Sequence, residues 1–143
     1  MQEKNTPTKV LFRLKGIKAT PQRIAVFEAM RMLGHASADA VFETVKKEYQ
    51  SMTLATVYNV LEFLEQSDLL SRRMSSNNKM YYDINTTTHC HLYDVEDNTF
   101  VDFNDAELVK LVENHLASKR IRNFQLERFD LQIVGTKKKK AAR

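Results

Sequence analysis

This chain is short of thiols: Cys90 is its only cysteine. One thiol cannot close an internal disulfide, and it cannot build a cysteine-based zinc module. Tryptophan is absent, and there are only three glycines and two prolines, so few positions are free to break helices or strands. No apolar run approaches the ~20 residues of a membrane span. The opening stretch, MQEKNTPTKV, lacks the apolar centre of a secretory signal. Together these absences exclude a disulfide scaffold and a membrane-embedded protein, and they predict a reduced, cytoplasmic setting. Histidine is scarce too, with four in 143 residues. Two of the four nevertheless flank the lone cysteine, in HCH at 89–91.

The length suits one domain or two small ones. The net charge of +4 is unevenly spread: residues 1–83 hold 12 basic against 9 acidic groups, residues 84–136 hold 5 against 9, and residues 137–143 add five more positive charges. A basic front and an acidic middle suggest two modules, the first facing a polyanion. A solvated surface of uneven charge is the plainer alternative.

In the front half, ATPQRIAVFEAMRML reads as a helix capped by Thr20, with Pro21 at its first position and Ile24, Phe27 and Met30 on one face. Gly34 ends it. HASADAVFETVKKEY reads as a second helix capped by Ser37, with Val41, Phe42, Val45 and Tyr49 inward. TLATVYNVLEFLEQSDLL reads as a third, capped by Thr53. Its Leu54, Val57, Leu61 and Leu64 turn inward, while Ala55, Thr56, Asn59 and Glu62 turn outward with Tyr58 near the boundary. LLSRRMSSNNKMYYDI then reads as a hairpin around SSNN, carrying Arg72, Arg73 and Lys79. Helices followed by a basic hairpin match the order of a winged helix-turn-helix. The third helix is expected in the major groove and the hairpin along the phosphates.

From about residue 84 the texture changes. THCHLYDV and TFVDF read as strands around a turn at Glu96, Asp97 and Asn98. NDAELVKLVENHLASK reads as a helix capped by Asn104, with Leu108, Leu111, Val112 and Leu116 on its apolar face. FQLERFDLQIVG alternates like a strand through Phe124, Leu126, Phe129, Leu131, Ile133 and Val134, with a slip near Arg128. So small a unit buries little by itself, and pairing with a second copy, a homodimer, is expected to cover it. The expected architecture is α+β: a winged helix-turn-helix over 1–83, a small α/β dimerisation domain over 84–136, and a basic, disordered tail over 137–143.

On a strand, alternate residues share a face. His89 and His91 therefore form a pair, with Cys90 on the other side. A turn at Asp97 and Asn98 sets Tyr93 across from Asp102, which places Asp102 on the histidine face and diagonal to His91. Two imidazoles and a carboxylate make a partial cage. An H-x-H pair alone also occurs without any ion. Further donors would have to come from elsewhere, and His35 and Asp83 are the candidates; spacing alone does not bring them together.

The stretches TPQRIAVFEAM, HASADAVFETVKK, LATVYNVLEFLEQSDLL and HCHLYD…VDF follow in order the pattern of the ferric uptake regulator (Fur) family, and the resemblance runs from about residue 11 to 134. It implies a dimeric winged-helix repressor, not an enzyme, with a regulatory metal held by His35, Asp83, His89, His91 and Asp102. Aspartate at both 83 and 102 resembles the peroxide-stress branch, since the iron-uptake branch typically carries glutamates. That branch implies Fe2+ or Mn2+ at one site per subunit, with His35 and His89 the residues oxidised when peroxide meets bound iron. The resemblance further implies an A·T-rich palindromic operator on double-stranded DNA, with Tyr58 touching bases. Thr56 and Asn59, on the outward face of the third helix, and Lys15 and Arg23, as basic residues within reach of phosphate or, for Lys15, a narrow minor groove, are the other expected DNA contacts. Most members carry C-x-x-C pairs for a structural zinc. Here Asp94 and Asp97 replace the first pair and the second is missing, so no structural Zn2+ is expected. Rival readings are an iron- or manganese-responsive uptake regulator, a non-haem iron enzyme built on two histidines and a carboxylate, and a winged helix that uses no metal.

Overall fold

A computed structural model describes residues 5–75 and 78–138. The chain divides into two compact units between Thr86 and Thr87, against an expected change of texture at residue 84.

The first unit runs α1 (Thr8–Leu14), α2 (Pro21–Leu33), β1 (His35–Ala36), α3 (Ala38–Val45), α4 (Leu54–Gln66), β2 (Ser71–Met74) and β3 (Met80–Asp83). Three of its helices start where their caps predict. The side-chain oxygens of Thr20, Ser37 and Thr53 accept the backbone N–H of Arg23, Ala40 and Thr56, satisfying donors that the helix itself leaves unpaired. Gly34 takes φ 78° and its N–H donates to Met30 O at 2.8 Å. That left-handed turn ends α2 and feeds β1 directly. The inward stripes of the three longer helices interlock: Val26, Phe27, Met30, Val41, Val57, Leu61 and Leu64 are all buried.

The sequence reading did not predict α1. The helix begins after Pro7 with no side-chain cap and no acidic residue in its first turn, so the usual start signals are missing. Packing holds it instead, with the Phe12 ring centroid 5.4 Å from that of Phe27. Tyr49, expected in the core, lies beyond the end of α3 and is exposed. The wing is a three-stranded sheet ordered β1-β3-β2. Strand β1 was not foreseen, because two residues are too short to show a period. Of the predicted turn, Ser76 and Asn77 lie outside the described residues. Ser75 and Lys79 close it, with Ser75 N–H donating to Lys79 O at 2.8 Å.

The second unit runs β4 (Cys90–Asp94), β5 (Thr99–Phe103), α5 (Ala106–Ala117) and β6 (Leu131–Gly135), with strand order β5-β4-β6. β4 and β5 pair antiparallel and β4 and β6 parallel. Three expectations need correction. Asp105, not Asn104, caps α5, accepting from Leu108 N–H at 3.0 Å. The alternating stretch from Phe124 is a strand only from Leu131, and Phe124 and Leu126 are exposed. The expected tail begins too early, because Lys137 is hydrogen-bonded to Asp94 and Asp97; residues 139–143 of that tail lie outside the described residues.

The core of this unit is small. Its fully buried side chains are Cys90, His91 and Tyr93. Helix α5 buries none of its residues, and Leu111 on its apolar face is 66% exposed.

Candidate metal centre and DNA-facing residues

Strand β4 is the middle strand of its sheet, and its burial pattern reflects that: Cys90 and His91 are both buried, on opposite faces. Across the ladder, His91 pairs with Asp102 and Tyr93 with Phe100. The sequence reading had Tyr93 opposite Asp102. The true loop, Val95–Asn98, is two residues longer than the tight turn assumed there. The slip of two keeps the parity of the pleat, so Asp102 still faces the histidines, and now faces His91 directly. His89 lies just before the strand.

Three donor atoms converge here. His89 Nε2 and His91 Nε2 each lie 3.4 Å from one atom, Asp102 Oδ1. The two imidazole centroids are 4.3 Å apart. Both histidine side chains are almost wholly buried, while Asp102 is 37% exposed. His89 Nδ1 lies 2.7 Å from Thr87 O. A carbonyl only accepts, so Nδ1 must carry the proton in that contact. The lone pair of the neutral ring is then on Nε2, the atom aimed at Asp102. A backbone carbonyl orienting an imidazole in this way is the usual support for a metal-binding histidine.

The donor set fits a metal. His89, His91 and Asp102 each offer an atom within 4.8 Å of the others. Bonds of about 2.1 Å put neighbouring corners of an octahedron about 3 Å apart, close to the spacing seen. With Cys90 on the far face, no thiolate joins in. Nitrogen and oxygen donors of this kind suit Fe2+ or Mn2+ better than a structural zinc.

The first unit carries a second pair. His35 on β1 and Asp83 on β3 are directly opposed in an antiparallel ladder, so their side chains share a face. Asp83 is 2% exposed, and its Oδ1 accepts Asn85 N–H at 2.8 Å, which orients the carboxylate. All five sequence candidates thus fall into two sets: His35 with Asp83 in the first unit, and His89, His91 and Asp102 in the second. The fourth histidine, His115, is exposed on α5.

Of the residues expected at DNA, Tyr58 is 45% exposed and Asn59 is exposed on α4. Thr56 is half-buried, its hydroxyl 2.9 Å from that of Thr53. Lys15, at the end of α1, is exposed. Arg23 is partly committed already: its guanidinium stacks 3.8 Å from the Phe63 ring centroid and Nη1 donates to Lys18 O. On β2, Arg72 is exposed but Arg73 is 7% exposed. That is a correction. The pleat turns Ser71 and Arg73 inward and Arg72 and Met74 outward, so Arg73 shares the face of Ser71, which pairs with Asp83. Lys79 is exposed, its Nζ 5.9 Å from the Tyr81 ring centroid. Tyr82, opposite Arg72 in the ladder, is buried, and that burial raises its hydroxyl pKa above the ordinary 10.0. Thr87, which orients His89, carries no signal in the sequence, and Asp94, noted there only as standing in a cysteine position, organises the β4–β5 loop. Asp94 had a local signal: an Asp followed two residues on by a loop often accepts its own backbone.

A winged helix-turn-helix followed in the chain by an α/β unit with a histidine and carboxylate cluster defines a class: metal-responsive, DNA-binding regulators. The comparisons agree. Residues 14–134 match the ferric uptake regulator family. The chain is 31% identical to the ferric uptake regulation protein of Cupriavidus metallidurans, over 84% of each chain. It is 27% identical to the peroxide operon regulator of Bacillus subtilis, over 78% of this chain and 79% of that one. The solved ferric uptake regulator of Pseudomonas aeruginosa with manganese superposes with a TM-score of 0.74 at 25% identity, covering 94% of this chain and 100% of that one. The chain belongs to the ferric uptake regulator family. It is accordingly a metal-responsive transcriptional regulator, of a family whose members are dimeric DNA-binding proteins and not enzymes. Among the described residues, no helix is long and apolar enough to cross a membrane.

Proposed function

We propose that this regulator is a repressor that senses hydrogen peroxide through a single Fe2+ per subunit held by His35, Asp83, His89, His91 and Asp102. The observation that carries the reading is the donor set. Each unit alone offers two or three ligands, fewer than the roughly six that Fe2+ or Mn2+ takes. One ion held by both sets would draw on all five residues, and Fe2+ there would supply redox chemistry toward peroxide. Both carboxylates are aspartates, as the peroxide-stress branch of the family has them.

The chain's own residues do the rest. Thr87 O keeps the proton on His89 Nδ1 and so keeps the ring's lone pair on Nε2, the atom facing Asp102. His91 and Asp102, locked opposite each other in the β4–β5 ladder, hold the second unit's share of the ion. His35 and Asp83 hold the first unit's share and fix the winged helix in the DNA-binding arrangement. Fe2+ held there would supply the electrons that reduce peroxide, and His35 and His89 are the imidazoles we assign as the ones that would be oxidised. An oxidised imidazole would bind metal poorly, and loss of the metal would release DNA. Mn2+ supports DNA binding without this reaction. The operator is an A·T-rich palindrome, read in part by Tyr58 and Asn59, with Thr56, Lys15, Arg23, Arg72 and Lys79 along the backbone. No structural zinc is required.

A second reading is an iron- or manganese-responsive uptake regulator, favoured by the 31% identity to a ferric uptake regulation protein. One titration separates them. Metal-free, Mn2+-loaded and Fe2+-loaded protein are tested on a family-type palindrome before and after a low dose of peroxide. Peroxide sensing predicts loss of binding in the iron sample alone. Binding that needs metal but survives peroxide with iron contradicts it and supports the uptake regulator.

A further inference from the structure

The loop between β4 and β5 is knotted to the far end of the chain by one carboxylate. Asp94 Oδ1 accepts Glu96 N–H at 2.9 Å and Asp97 N–H at 3.2 Å. Its other oxygen, Oδ2, accepts the N–H of Lys137 at 3.1 Å, from 43 residues away. Asp94 is 8% exposed. Next to it, Lys137 Nζ donates to Asp97 Oδ2 at 2.7 Å. Val95 N–H donates to Gly135 O at 3.0 Å, extending the parallel pairing of Asp94 with Gly135. The end of β4 with the loop after it, and the end of β6 with Lys137 beyond it, are thus joined by three separate links.

We propose that Asp94 is the anchor of a metal-free clasp that fastens the end of β6 to the β4–β5 loop, with the Lys137 ammonium supplying the positive charge that this acidic loop would otherwise draw from a cation. The clasp matters because the unit has little else. Its core is a few side chains, and β6 reaches the sheet after a stretch with no regular structure between Asn123 and Asp130. Pairing of β6 with β4 therefore relies on its last residues being held. The two parts of the clasp differ in strength. The Lys137–Asp97 ion pair is exposed at both ends, 65% and 52%, and such pairs contribute little and are screened by salt. The carboxylate of Asp94 is sheltered and accepts three backbone donors. Its oxygens are therefore the main link and the ammonium is secondary. The same groups lower the Asp94 pKa below the ordinary 3.8, the Asp97 N–H first among them.

Amide hydrogen exchange on the full chain, prepared without metal, tests this. In the wild type the amides of Val95, Glu96, Asp97 and Lys137 are protected before any metal is added. Asp94→Asn, which keeps the shape but turns an N–H toward one donor, raises their exchange by about tenfold or more, with Val57 and Leu61 in the first unit unchanged. Lys137→Met raises it only a few-fold at low salt and not at all in ~1 M salt, where the ion pair is already screened. Lys137→Arg behaves as wild type. Full protection in Asp94→Asn would overturn the proposal. So would protection in the wild type that appears only on adding Zn2+, because a metal would then be the fastener.

Discussion

Each of the five candidate ligands is set by its own neighbours. His91 is fixed by a ladder partner, His89 by the carbonyl of Thr87, and Asp83 by the N–H of Asn85. His91→Ala removes the donor at the centre of the second unit's set. It is expected to lower Mn2+ affinity at least tenfold by calorimetry, with His115→Ala at wild-type affinity. Core positions answer differently. Leu61 is fully buried, and Leu61→Ala is expected to cost about 2–5 kcal/mol in a urea titration while leaving metal stoichiometry unchanged in the folded fraction. His89 and His91 stood out in the sequence because histidine is so rare here, Asp102 followed from the strand pattern, and His35 and Asp83 joined the set only through the family resemblance. The orientation of His89 was not legible, because it depends on a backbone carbonyl, which every residue possesses.

Periodicity identified elements wherever an apolar stripe met a cap, as in α2, α3 and α4. It failed where packing acts without local signals. α1 has no cap and β1 has two residues. The stretch from Phe124 alternates in apolarity yet is a strand only from Leu131. The register of β4 with β5 was missed by two residues, yet the face assignment held, because a pleat repeats every two. That same alternation separates the wing's arginines. Arg72→Ala is expected to weaken DNA binding and reduce the slope of log affinity against log salt by about one. Arg73→Ala, at a buried position, is expected to leave the salt slope unchanged and to lower the melting temperature instead. The Asp94 clasp carries a pH signature with a definite sign. The Asp94 pKa is lowered in the folded chain, so its contribution is complete above the ordinary 3.8 and is lost as pH falls through the lower folded value. Lys137, next to Asp97 and Asp94, is raised above 10.5, so its share is present below that value and lost only as pH rises beyond the folded one. Melting of the second unit, followed by pH, is therefore expected to be insensitive to these two groups between about pH 5 and 9. In acid it should weaken in the wild type more than in Asp94→Asn.

At the scale of the whole molecule, the second unit presents an apolar face that its own chain does not cover. Leu111 is exposed on a helix that buries nothing, and Leu92, Val101 and Ile133, paired side by side across β5-β4-β6, are exposed on one face of the sheet. Members of the family are dimers, and that face is the one expected to be covered by a second copy. Leu111→Asp is expected to shift sedimentation from dimer toward monomer at micromolar concentration, and to weaken binding to a palindrome more than to a half-site. In the proposed function the five candidate ligands would act together only if one ion were held by both sets. The central claim is that this joint action ends when iron and peroxide oxidise a ligand. It is tested most directly by mass spectrometry of the Fe2+-loaded protein after one equivalent of peroxide, with the Mn2+-loaded protein alongside. The account predicts one added oxygen on the peptide bearing His35 or His89, in the iron sample only. Unmodified histidines in iron-loaded, peroxide-treated protein would contradict it.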